Sequence, residues 1–150
     1  MKNLLPLLAI VSLLFAGCKT APTFGPAIAQ EAVTIGVQVG LVKYPEAAPI
    51  LRAAAPVVCA VASGTNIQPA QVISVLQGSG VINATNVQAV LILNSAIGIY
   101  TAVFDSFGAN WTANQPVLQS YLKAVCDGIN AALPPASPTA RSRKVPPHLP

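Results

Sequence analysis

The chain has 150 residues, 53% of them hydrophobic and only 8% charged, with a formal net charge of +4. Soluble domains carry about a quarter charged residues, so this chain has ample apolar surface to bury, and disorder throughout is excluded. The positive balance belongs to the ends, because between Cys18 and Leu133 the basic Lys19, Lys43, Arg52 and Lys123 are matched by Glu31, Glu46, Asp105 and Asp127; no phosphate-tracking surface is expected from these, and nucleic-acid binding by the domain is set aside.

The first element reads as an export signal. Lys2 gives a positive start, Leu4 to Phe15 form an apolar run, and small Ala16 and Gly17 precede Cys18. That is the n-region, h-region and cleavage site of a secretory signal, too short to span a bilayer as a mature helix. The run Leu14-Phe15-Ala16-Gly17-Cys18 resembles the lipobox of bacterial lipoproteins, departing from it at Phe15, where leucine is commonest. The resemblance covers residues 1–18 only. It implies cleavage before Cys18, a diacylglyceryl group on the Cys18 thiol, an acylated new amino terminus (palmitate-type chains) and attachment to a membrane. Lys19 stands where an aspartate would favour inner-membrane retention. In a Gram-negative host the resemblance therefore implies the outer membrane, facing the periplasm. An ordinary signal peptide with an incidental cysteine is the other reading of the same residues.

The remaining chain suits one domain. Its expected organisation is a signal peptide over 1–17, a tether over 18–26 carrying Pro22, Gly25 and Pro26, a helical domain over 27–133 and a disordered, basic, Pro-rich tail over 134–150. Pro26 suits the first position of a helix over Ala27 to Tyr44, in which Gly36 and Gly40 have the spacing that permits close approach of a second helix. The same stretch alternates Val33, Ile35, Val37, Val39 and Leu41, a strand signature; the alanine-rich Ala27 to Ala32 favours helix. Glu46 to Ala62 is helical by propensity, with Pro56 expected to kink or divide it. Ser63-Gly64-Thr65-Asn66 is a stop, and Pro69 opens a short helix to Gln77.

Thr85 with Gln88 three residues later forms a capping-box pattern. Val87 to Phe107 then runs nearly unbroken to Gly108 and is expected to be the central core helix. Its stretch to Phe104 is also nearly long enough for a membrane span, against which stand Gln88, Asn94, Ser95, Thr101 and Asp105. Asn114 is expected to cap the last helix, with Pro116 in its first turn. There Val117, Leu118, Tyr121, Leu122, Val125, Ile129 and Leu133 share one side and Gln119, Ser120, Lys123 and Asn130 the other. The fold class expected is all-α, a small bundle of about five helices. Cys59 and Cys126 are an even pair in a compartment that permits oxidation, so they read either as a disulfide linking two helices or as two buried thiols.

Catalytic groups are sought and mostly not found. The sole histidine is His148, in the tail, where a general base has nothing to hold it. The four carboxylates are scattered singly, and no phosphate loop, nucleophile elbow or metal-ligand cluster is present in the sequence. Asp105 reads as a surface acid near a helix end rather than a buried functional one. Trp111 reads either as a packing residue or as an exposed recognition residue, and the Asn83 and Asn110 sequons as coincidental. No enzyme activity, cofactor or metal is expected. The expected role is a non-catalytic structural or interaction protein of the cell envelope, held by lipid and contacting a protein partner or itself. The alternatives are a phage-encoded envelope effector (lysis or superinfection exclusion) and a carrier of a small apolar ligand.

Overall fold

A computed structural model describes residues 24–82 and 86–135 of the chain. The signal segment, Cys18, most of the tether, Asn83, Thr85, His148 and the basic part of the tail lie outside the described residues. Five helices follow in order: α1 (Pro26–Lys43), α2 (Ala48–Ala62), α3 (Pro69–Gly78), α4 (Val87–Phe107) and α5 (Gln115–Ala132). Short 3₁₀ turns at Pro45–Ala47 and Gly108–Asn110 join α1 to α2 and α4 to α5. Among the described residues there is no strand, and the fold is an all-α bundle.

Four of the five helices begin with proline at their first or second position, where its missing N–H costs no intrahelical bond. Side-chain caps are less used than the sequence suggests. Asn86 and Asn114 occupy the N-cap positions of α4 and α5 without making a cap hydrogen bond. The Asn114 side chain instead donates to the Asn110 carbonyl at 2.9 Å, tying down the preceding turn.

The alternation in α1 resolves as helix. Residues two apart point to opposite sides of a strand, but in a helix it is residues three and four apart that share a face. Val33 and Val37 therefore turn inward with Ala29, while Ile35 and Val39 turn outward with Ile28. Pro56, expected to break α2, lies inside one continuous helix; its ring sits on the exposed side, away from the buried Leu51, Ala54, Ala55 and Val58.

The expected central helix, α4, touches all four of the others, but the most deeply buried helix is α5. Nine of its eighteen residues are buried, against seven of twenty-one in α4, and α5 packs on α1, α2 and α4. The reason is contrast between faces. Lys123, Asp127 and Asn130 keep one side of α5 wet, so its apolar side is driven wholly inward. Mostly apolar but with Asn94, Ser95 and Asp105 on its exposed side, α4 turns only the stripe through Ile92, Leu93, Ala96, Ile97, Tyr100 and Val103 into the core.

Helices α1 and α5 run side by side in the same direction: Tyr121 meets Phe24 at one end, and Gly128 meets Gln30 and Val33 a turn or two further along both. The α2 helix runs opposite to α5, with Arg52 reaching Pro134, Cys59 facing Cys126, and Gln119 donating to the Gly64 carbonyl at 2.7 Å.

Gly128 marks a close approach of α5 to the backbone of α1. A Cβ there would stand 2.8 Å from the Gln30 carbonyl oxygen and from Val33 Cβ. Of the two glycines predicted to permit close approach, Gly40 does so, lying against Ile92 of α4, whereas Gly36 faces open space.

Candidate functional site

Three features of the domain could act on something outside it. The first surrounds the cysteine pair. Cys59 on α2 and Cys126 on α5 are brought together as a disulfide, with Cα atoms 5.2 Å apart. The pair lies where the two antiparallel helices touch, so the bond ties together the start and end of a 67-residue span of chain. The Asn130 amide sits 3.6 Å from both sulfurs, and Lys123 forms an i,i+4 ion pair with Asp127 at 2.8 Å one turn away. A shallow cleft of about 220 Å³ opens beside the bridge, between Ser63 and Lys123. No nucleophile and base are paired there: its polar members are hydroxyls, an amide and one lysine.

The second feature is a longer cleft, about 490 Å³, between α3 and α4. Ile73, Ile82, Val90 and Ile97 supply apolar walls, and Gly98 and Ala102 keep the floor low. Gln77, Asn94, Thr101 and Asp105 rim it with polar groups. Asp105 is exposed, so the structure places it at the surface near the end of α4, as expected from its position.

A third feature is the outer side of α1 and α4. Ile28, Ile35, Val39 and Val42 on α1 and Val87 and Leu91 on α4 are all more than half exposed. Six large aliphatic side chains in water on two adjacent helices go beyond the scattered singles that need no explanation. Sequence reasoning passed over this face because alternation was weighed only as strand against helix; the i, i+4 pairing of Ile35 with Val39 was the available signal.

Trp111, left open by the sequence, is half-buried and tilted over Phe104 at a centroid distance of 5.6 Å. Phe104 in turn meets Tyr100, giving a short aromatic ladder that closes the α4–α5 turn. Tyr100 is fully buried and its hydroxyl donates to the Ile67 carbonyl, fixing the α2–α3 loop to α4. Burial drives its pKa well above the ordinary tyrosine range, so it serves as a neutral donor. Among the described residues, no three His, Cys, Asp or Glu side chains gather as metal ligands. Cys18 and His148 lie outside the described residues.

No protein-family model, no curated protein and no solved structure matches this chain.

Proposed function

We propose that this chain is a lipid-anchored protein of a bacterial cell envelope, and that its helical domain works by contact rather than by catalysis. The observation that carries the reading is the apolar N-terminal run closing on Ala16-Gly17-Cys18, which resembles a lipobox. Lys19 after the cysteine favours the outer membrane, periplasmic side, where the host has one. Two properties of the domain support a contact role. Its charged groups are few and balanced, and it presents aliphatic side chains to solvent on α1 and α4.

Intact mass spectrometry of the protein from its native cell tests the anchor. The expected species begins at Cys18 and carries diacylglyceryl and N-acyl mass; an unprocessed, unacylated chain overturns the reading. The Pro45–Ala62 and Val87–Asn110 segments are long and apolar enough to cross a membrane, with mean hydropathies of 1.3 and 1.8. Carbonate extraction of the Cys18→Ser chain separates the two modes of attachment: a spanning helix stays in the pellet, whereas a protein held by lipid alone is released. A second reading, carriage of a small apolar ligand, draws on the α3–α4 cleft and its apolar walls. Native mass spectrometry of the detergent-extracted protein tests it through the presence or absence of a co-purifying lipid.

A further inference from the structure

We infer that the outer face of α1 is a docking surface for the lipid bilayer, so that this helix lies flat against the membrane. This rests on the lipid-anchor reading of Cys18. Ile28, Ile35, Val39 and Val42 are 57%, 61%, 62% and 87% exposed. At 3.6 residues per turn they fall within about 60° of one another, forming one stripe along the whole helix. Ala32 and Gly36 lie beside that stripe on the same exposed side.

Gly40 against Ile92 places the C-terminal half of α1 beside the start of α4, where Leu91 is 58% exposed. The continuous exposed aliphatic stripe is that of α1; on α4, Val87 and Leu91 share a side with Asn94, Gly98 and Asp105. The α1 stripe carries no charge at its centre: Glu31 sits at its edge and Lys43 at its end, where a long side chain can snorkel. Arg52, Lys123 and Asp127 belong to α2 and α5, and α5 packs on the inner side of α1 through Gly128 and Val33.

The occupant follows from the chain ahead of α1. Pro26 is eight residues after Cys18, a leash of at most about 28 Å when fully extended. The α1 helix is about 27 Å long at 1.5 Å per residue. An acyl anchor at Cys18 would thus keep the start of the stripe within about one helix length of lipid headgroups, and its far end within about two. A partner arriving by diffusion has no such effective concentration. A helix in this position seats its apolar side in the boundary between headgroups and acyl chains.

The test uses full-length mature protein, acylated at Cys18 and reconstituted in phosphatidylethanolamine–phosphatidylglycerol vesicles. Nitroxide labels are placed on Val39→Cys and, as a control on the opposite side, on Ala60→Cys, with the Cys59–Cys126 bridge intact. Oxygen and nickel-chelate collision rates are expected to put the label at 39 about 5–10 Å below the phosphates and the label at 60 in water. Labels both in water on protein that still floats with the vesicles overturn the docking surface and leave the anchor standing. Failure to acquire lipid at Cys18 overturns the anchor and the docking surface with it. Spin–spin broadening at 39 that disappears on dilution with unlabelled protein assigns the face to a second copy and overturns the inference.

Discussion

Apart from Gly78, the last residue of α3, four glycines lie in helix interiors, and the structure assigns them opposite responses to the same substitution. Alanine is intrinsically favoured over glycine in a helix by about 1 kcal/mol. At Gly36 and Gly98 an added Cβ would meet nothing within 4 Å, so Gly36→Ala and Gly98→Ala should each stabilise the fold by most of that amount. At Gly128 the same atom would stand 2.8 Å from the Gln30 carbonyl oxygen and from Val33 Cβ and Cγ1. Normal carbon contacts are about 3.5–4.0 Å, so α1 would have to retreat by roughly 1 Å along its main interface with α5. The obstacle is backbone and a β-carbon, which no rotamer change removes. Overpacking of this kind costs about 1–3 kcal/mol, leaving Gly128→Ala destabilised by about 1–2 kcal/mol after the gain in helix propensity. Gly40→Ala should fall between, because what it meets is the Ile92 side chain, at 2.6 Å to Cγ1. Urea unfolding followed by far-ultraviolet circular dichroism gives the order directly. Melting temperatures of Gly98→Ala and Gly128→Ala should differ by about 10 °C or more. Equal stabilisation of Gly98→Ala and Gly128→Ala would refute the close α1–α5 approach.

Three further outcomes are expected. Replacing Cys59 and Cys126 by serine opens a 67-residue loop and should cost about 4 kcal/mol in the chain-entropy treatment; a loss below about 1 kcal/mol in equilibrium unfolding would show that the bridge constrains little. Tyr100→Phe leaves the buried Ile67 carbonyl without its donor and should cost about 1–3 kcal/mol. Because burial raises the folded-state pKa of Tyr100 above its ordinary value of 10.0, its contribution is complete below that pH and is lost as pH climbs beyond it. The wild type should therefore lose stability above pH 10 more steeply than Tyr100→Phe, and coincident curves count against the buried hydroxyl. Pro56→Ala restores an N–H facing the Arg52 carbonyl inside α2. An interior proline costs about 3 kcal/mol, offset by about 1 kcal/mol of unfolded-state entropy, so a rise of about 1–2 kcal/mol is expected, and a fall in melting temperature contradicts it.

Much of the architecture was legible where local chemistry and tertiary role agree. The α5 helix is the clearest case: Leu118, Tyr121, Leu122, Val125 and Ile129 recur at helical spacing opposite Lys123 and Asn130, and all five are buried. Proline and glycine punctuation placed the ends of α3 and α4 within a residue. The deeper burial of α5 was not legible because hydropathy averages over a helix and ignores direction. The apolar residues of α4 exceed what its one buried stripe can use, and the excess stays outside. Gly128 gave no local sign, sitting between Asp127 and Ile129 in a regular amphipathic pattern. What requires it is Gln30 and Val33, on a helix almost a hundred residues earlier. Cysteine parity suggested a bridge, but only the antiparallel course of α2 and α5 explains why Cys59 and Cys126 meet.

The two sides of α1 separate folding from contact, and a paired substitution makes the separation measurable. Val33 is 1% exposed in the α1–α5 interface, and Val33→Ala removes two methyl groups from a packed site. At about 0.8 kcal/mol per buried carbon plus the void left behind, the expected loss is about 1–3 kcal/mol. Ile35 and Val39 carry as much aliphatic surface, yet face outward. Their joint replacement by glutamine should change unfolding free energy by no more than about 0.5 kcal/mol, because little burial is lost. It should, however, raise the concentration at which detergent-free protein begins to associate, since an exposed aliphatic stripe is an association hazard in water. A stability loss from Ile35→Gln/Val39→Gln as large as that from Val33→Ala would mean that the outer stripe belongs to the core. Unchanged stability with unchanged association would mean that the stripe makes no contact worth the cost of exposing it.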